Sequence, residues 1–284
     1  MSMSTTSNLI DKTAGLPEQS SAALRSLILA LADSKRLLGI RYSDWMLGAP
    51  TLETGIAASS MAQDEWGHSR LSYALLSDFG DEPKRLEHER SAEEYHSMQQ
   101  LDSSFTSWCE MIAASLLLDG ALRTQYSALV ESRYSPLHNR VQKLLDEEEF
   151  HYQYAAGWAP KLVNNPELRE QFAAAARQFL IGGLTWFGRN DDPALNRLRD
   201  EGLMACGPDQ LRSSFLQQVG PVLEACGVAE ELGVTNSGGN RWSFEGDLEW
   251  IDWDDARRRS GTGGPDDDTL SRVRGDKNRA MLLD

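Results

Sequence analysis

Gln63-Asp64-Glu65-Trp66-Gly67-His68 and Asp146-Glu147-Glu148-Glu149-Phe150-His151 are the two stretches on which the reading of this chain turns. Each contains Glu-x-x-His, at Glu65/His68 and at Glu148/His151. Residues three apart share a face of a helix, so each pair presents one oxygen and one nitrogen to the same point. A single such motif is weak, because glutamate is common. Two of them, each on the second arm of a long helical hairpin, are much stronger. They also take up two of the five histidines in the chain.

Around these motifs the apolar residues recur at helical spacing, and no segment alternates polar and apolar long enough to make a convincing strand. A first helix is predicted over 21–47, closed by Gly48-Ala49-Pro50. A second begins at Thr51, a capping residue with Glu53 in the first turn, and runs to about residue 77. Short helices fit 83–100. A third long helix covers 103–133 up to Ser135-Pro136, and a fourth covers 136–163 up to Asn164-Asn165-Pro166. Further helices fit 166–187, 191–205 and 208–226. The fold class is therefore all-α, a four-helix bundle with additional C-terminal helices.

A metal site in such a bundle also needs a carboxylate from each partner arm. Residues equidistant from the turn of an antiparallel hairpin lie at the same height. A turn centred on residue 49 sets Asp33 opposite Glu65, among Leu29, Ala30, Leu37 and Ile40. In the second hairpin the break beside Ser135 sets Asp119 opposite Glu148, within Leu116, Leu117, Leu118 and Leu122. Burying such acids unpaired would be costly. The predicted metal ligands are thus Asp33, Glu65, His68, Asp119, Glu148 and His151, and four carboxylates balance the charge of two divalent ions. Taken singly, Asp33 and Asp119 read as readily as satisfied core acids. Glu147 and Glu149 read as surface charges or as hydrogen-bond partners of the ligands. Mixed carboxylate and imidazole ligation suits iron or manganese better than tetrahedral zinc. The doubled motif is the di-iron or di-manganese carboxylate pattern, which binds dioxygen.

Composition bounds the setting. The chain has 284 residues, with 28 Lys and Arg against 43 Asp and Glu, a net charge of −15. That charge disfavours nucleic acid and anionic membrane as partners. No apolar run approaches the roughly 20 residues needed to cross a bilayer. The first 19 residues are polar and lack the apolar core of a signal peptide. Three scattered cysteines form no CxxC pair. A soluble, cytoplasmic protein is expected. Residues 1–20 read as a flexible tail and 21–232 as the helical bundle. Residues 233–284 read as a polar, acidic tail or partner-binding extension, with Trp242 to Asp255 as its aromatic, acidic part.

Leu31-Ala-Asp-Ser-Lys-Arg-Leu-Leu-Gly39, Asp44-Trp45, Ala49-Pro50-Thr-Leu-Glu53 and Met61-Ala-Gln-Asp-Glu-Trp-Gly-His68-Ser-Arg70 resemble the phenylacetic acid catabolic protein family. His151 followed by Gly157-Trp158 resembles the matching stretch of the second hairpin, and the likeness covers roughly 22–228. These are the ferritin-like A-type and C-type components of phenylacetyl-CoA epoxidase, a bacterial multicomponent di-iron monooxygenase. The resemblance implies a ferritin-like bundle, two iron ions (manganese as the variant), O2 as co-substrate and electrons from an external reductase. It implies a homologous partner subunit in a homo- or hetero-oligomer, and an aromatic acyl-CoA or related small organic substrate. Glu65, His68, Glu148 and His151 would be the catalytic metal-site residues. The texture lies closest to the C-type, structural components, yet both Glu-x-x-His pairs are intact. Asp at 33 and 119 stands where many di-iron proteins carry Glu. No phosphate-cradling glycine loop is present, so CoA binding follows from the resemblance alone. The expected function is that of a di-iron oxygenase component, with a non-catalytic scaffold or a ferritin-like ferroxidase as the alternatives.

Overall fold

A computed structural model of the chain describes residues 9–239 and 241–276. Two long helical hairpins form its centre. In the first, α1 (Glu18–Asp44) packs along α2 (Leu52–Leu75). Thr51 caps α2 by accepting from the Thr54 amide at 3.3 Å, and the Thr51 amide donates back to Thr54 Oγ1 at 3.0 Å. That reciprocal pair satisfies two groups a helix end leaves open. Gly39 lets the two helices approach closely, since a Cβ there would lie 2.5 Å from Trp66 Nε1.

The first arm of the second hairpin is continuous but not uniform. α4 (Trp108–Ala114) widens into a π-helical turn (Ser115–Asp119) and resumes as α5 (Gly120–Ser127). It is shorter than the expected 103–133 and contains an irregularity that a 3.6-residue period does not announce. Its partner α6 (Ser135–Leu162) takes Pro136 in its first turn, where a missing N–H costs nothing. The expected break therefore marks a helix start.

Outer helices complete the bundle. α3 (Pro83–His88) follows the first hairpin, and α7 (Pro166–Trp186), α8 (Pro193–Asp200) and α9 (Pro208–Ala225) follow the second. α7 lies on the π-helical turn, where Gly183 would bring a Cβ to 3.2 Å from the Leu117 carbonyl oxygen. α1 is buried on nearly every face along its middle, from Leu27 to Lys35, as expected of a helix wrapped by others. The fold is all-α, a ferritin-like bundle with additional helices. Among the described residues no helix is long and apolar enough to cross a membrane.

The ends differ from the expected loose tails. Residues 1–8 and 277–284 of those tails lie outside the described residues. Ile10 forms a parallel bridge with Tyr134, and the Ile10 amide donates to the Arg133 carbonyl at 2.7 Å. Two small antiparallel hairpins, β1 (Val234–Asn236) with β2 (Trp242–Phe244) and β3 (Trp253–Asp254) with β4 (Arg259–Ser260), precede α10 (Asp267–Arg274). Trp242 is buried against Gly220 of α9 instead of being offered to a partner. Arginines tie this segment down. Arg41 of α1 donates to the Thr269 hydroxyl, Arg272 pairs with Asp44, and Arg259 pairs with Asp102. Composition signals a linker because these anchors are scattered charges, each with a distant partner.

Candidate metal centre

Glu65 and His68 from α2, Asp119 from the end of the π-helical turn, and Glu148 and His151 from α6 meet at one depth inside the bundle. All five are at most 1% exposed. Ligand atoms of Glu65, Asp119, Glu148 and His151 lie within 4.8 Å of one another. Tyr42 donates to Asp119 Oδ2 at 2.9 Å from the α1 side.

The two motifs brace one another. Asp64, just before Glu65, faces His151 Nε2 at 3.3 Å, and Glu147, just before Glu148, faces His68 Nε2 at 2.9 Å. Each acid thus holds the outer nitrogen of the other motif's imidazole. The inner nitrogens face the cluster, with His151 Nδ1 3.0 Å from Asp119 Oδ2 and 3.1 Å from Glu65 Oε1. His68 Nδ1 lies 3.0 Å from Glu148 Oε1, off the line of a hydrogen bond. A carboxylate on the outer nitrogen is the usual support of a metal-binding histidine, because it fixes the ring and leaves the inner nitrogen for the ion. Glu147, one of two acids that read from sequence as surface or supporting charges, has that supporting position. Nothing in its own helix marks Asp64 for the same role.

One expected ligand lies elsewhere. Asp33 is fully buried, but its carboxylate accepts from Arg90 Nη1 at 2.9 Å, Tyr73 Oη at 2.6 Å and the His96 amide at 2.8 Å, with Arg90 Nη2 closing a two-pronged pair. The hairpin count places Asp33 near Lys35 along α1 but says nothing about direction around the helix. The residue that α1 turns toward the cluster is Lys35, two positions on and so about 200° around the axis.

Lys35 Nζ stands among the acids, 3.0 Å from Glu65 Oε1, 2.5 Å from Asp119 Oδ1 and 2.5 Å from Glu148 Oε1. Burial alone would depress this ammonium, but Asp119, Glu148 and Glu65 outweigh it and hold its pKa well above the lysine range. Burial acts the other way on Glu65 and, with Asp119 and Glu148 beside it, pushes its carboxyl up to about 7 against the pull of Lys35. Asp119 stays well below its ordinary value despite burial, because Lys35 and His151 stabilise its charge. His151 is raised well above, and His68 above, the ordinary imidazole value: burial opposes this, and the facing carboxylates exceed it. The Lys35 ammonium and the two imidazoles are the cationic partners that face Glu65, Asp119 and Glu148.

A cavity of about 500 Å³ reaches the cluster between α2 and α6, lined by Met61, Asp64, Glu147, Phe150, His151 and Tyr154 among others. Phe150 is 77% exposed at its mouth.

The sequence profile of the family described as "Phenylacetic acid catabolic protein" matches residues 1–260. The chain belongs to the phenylacetic acid catabolic protein family. Its relatives include two components of the 1,2-phenylacetyl-CoA epoxidase of Escherichia coli (strain K12). The A component is 25% identical over 219 residues, covering 75% of this chain and 70% of that protein. The C component is 27% identical over 151 residues, covering 52% of this chain and 60% of that protein. The family match takes in the bundle and both hairpins of the C-terminal segment.

Two outcomes are expected of the site. Asp33→Ala leaves the Arg90 charge buried without its partner and should lower stability by about 3–5 kcal/mol in urea unfolding. Metal binding should be unchanged, since Asp33 faces away from the cluster. The metal-free protein should also lose stability between pH 6 and pH 8. Glu65 and His151 both have raised pKa values, so their favourable contribution is complete on the acid side. It fades as pH rises through about 7 for Glu65 and further for His151. Asp119 is ionised throughout that window and adds no slope. Thermal unfolding of chelator-treated protein reads the effect; a melting temperature rising over that range would contradict it.

Proposed function

We propose that this chain is a metal-binding component of a multicomponent oxygenase of the phenylacetyl-CoA epoxidase type, acting on an aromatic or related acyl-CoA or another small organic substrate. The carrying observation is the buried set Glu65, His68, Asp119, Glu148 and His151, with each imidazole backed by the acid that precedes the other motif's glutamate. The family membership and the names of the two relatives support the substrate class and a place within a larger assembly.

The residues fit iron or manganese. Three carboxylates and two imidazoles form a hard oxygen and nitrogen set, and Glu65 Oε2 is a buried acceptor with no hydrogen-bond partner among the described residues. A pair of iron ions would supply the reductive activation of dioxygen from which an oxygen atom reaches the substrate. The chain's part is to prepare that place. Glu65, Asp119 and Glu148 present oxygens inward, and His68 and His151 turn their inner nitrogens the same way. Asp64 and Glu147 fix ring orientation and hold the outer protons. Lys35 occupies the middle, so its ammonium must withdraw or give up its contacts as another cation enters. Met61, Phe150 and Tyr154 give the adjoining cavity an apolar wall of a size for a small substrate group.

A non-catalytic scaffold is the second reading, and Lys35 favours it: an internal cation balances the acids without metal and would let such a scaffold keep its fold. Metal content separates the two. After anaerobic loading with ferrous iron, the oxygenase reading expects about two irons per chain, as in other doubled Glu-x-x-His bundles. It expects their loss in Glu65→Ala and His151→Ala, and substrate-dependent O2 consumption once a reductase is supplied. Lys35→Met should hold iron at least as tightly and become dependent on it for stability, because the three acids then lack their internal cation. Wild-type protein that folds and stays free of iron under these conditions would overturn the oxygenase reading.

A further inference from the structure

Four aromatic side chains form an unbroken row from the second hairpin to the α1–α2 turn. Tyr154 and Trp158, four residues apart on α6, share a face of that helix, with ring centroids 6.4 Å apart. Trp158 meets Trp108, the first residue of α4, edge-on at 6.0 Å, and Trp108 meets Trp45, just past the end of α1, at 5.7 Å. All three separations are those of rings in contact. One end of the row is at the metal centre, where Tyr154 lines the cavity together with His151, three residues before it on the same helix. The other end is near solvent: Trp45 is half-buried and leads into Met46 and Leu47, which are 42% and 100% exposed.

The polar atoms of the row set it apart from ordinary aromatic packing. Trp45 Nε1, Trp108 Nε1 and the Tyr154 hydroxyl are buried without a hydrogen-bond partner among the described residues, although buried groups of this kind usually find one. An indole that loses an electron becomes acidic at Nε1. With no acceptor there the proton stays, so the positive charge is not trapped on one ring and can pass to the next. A phenol that keeps its proton gives up an electron less readily than an indole, and burial pushes the Tyr154 hydroxyl up to about 12. Tyr154 is therefore a contact, and the three tryptophans are the carriers. Lys161 Nζ lies 5.2 Å from the Trp158 ring centroid; a cation there disfavours positive charge on the ring, so charge reaching Trp158 moves on to Trp108. The row of Trp186, Phe187 and Phe215 is a contrast, since its phenylalanines are far harder to oxidise and none of the three lines the cavity at the cluster.

We propose that Trp158, Trp108 and Trp45 are a relay that carries oxidising equivalents out of the metal centre when no substrate takes them. The relay rests on the oxygenase reading, because its oxidant is iron oxidised by dioxygen at the cluster. Each step moves one electron inward and no proton. Trp158 gives an electron to the oxidised iron and becomes a radical cation, Trp108 restores Trp158, and Trp45 restores Trp108. The charge left on Trp45 is cancelled by one electron from a thiol or ascorbate in solution, which is oxidised in its place. The first step spans seven residues of α6 from His151, roughly 10 Å of rise, and the others cross rings in contact. Met61, on the cavity wall, is thereby spared oxidation.

Ferrous-loaded protein exposed to dioxygen without substrate or reductant tests the relay, with iron content measured on the same sample and products mapped by peptide mass spectrometry. Trp45, left unrepaired, should take up oxygen, and rapid-freeze electron paramagnetic resonance should show a tryptophan radical. Added ascorbate should suppress both. Trp45→Phe should move the oxygenated residue back to Trp108, and Trp108→Phe should move it back to Trp158, with oxidation rising at Met61. Lost packing alone would not shift the damage in that order, and Trp45→Phe alters only a half-buried position. Iron-loaded wild type in which oxidation is absent, or confined to Met61, Tyr154 or Tyr42, would overturn the relay and leave the oxygenase reading standing. So would a damage map that both variants leave unchanged. Wild type that holds no iron would overturn both.

Discussion

Everything at the centre of this bundle is organised around the electrostatic problem of three buried carboxylates on three helical elements. Like charges at that spacing in a low-dielectric interior cannot all remain ionised without cations among them. The chain supplies one cation, the Lys35 ammonium, in contact with all three acids, and two imidazoles whose protonation the same acids favour. α1, α2, α6 and the π-helical arm are therefore linked by charge as well as by packing. The same arrangement defines what a metal ion has to displace.

The cross-bracing gives the cluster an approximate internal symmetry. Asp64 belongs to the first motif and holds His151 of the second; Glu147 belongs to the second and holds His68 of the first. The outer nitrogen of each imidazole is held by the other hairpin, so the cross-bracing is complete only when the two hairpins dock. The π-helical turn serves the same end, since it finishes at Asp119 and is backed by the close approach of α7 at Gly183. Irregular turns of this kind frequently mark functional positions inside otherwise regular helices.

Much of this is legible in the sequence, and the gaps have physical causes. The helical periods, the capping at Thr51 and the doubled Glu-x-x-His spacing are local signals, and they give the class of fold and four of the clustered side chains. Asp119 follows from counting back from the second turn. Asp33 shows where that count stops, because height along a helix is a linear quantity while facing depends on an azimuth the turn position does not set. Lys35 is hidden for a related reason: a lysine in a helix reads as solvated until three acids from other helices are known to surround it. The C-terminal segment is opaque because its order comes from single arginines reaching carbonyls and hydroxyls far away in sequence, such as Arg258 to Trp186 and Arg41 to Thr269. No local period encodes such contacts.

The five clustered side chains, as proposed, are a metal site held closed by Lys35. Crystals of the protein soaked anaerobically in ferrous iron, with anomalous scattering collected at the iron edge, address it directly. Anomalous peaks are expected among Glu65, His68, Asp119, Glu148 and His151, with Lys35 Nζ moved off the acids and Asp33 still bound to Arg90. A cluster without anomalous signal, in which Lys35 still bridges Glu65, Asp119 and Glu148, would contradict it.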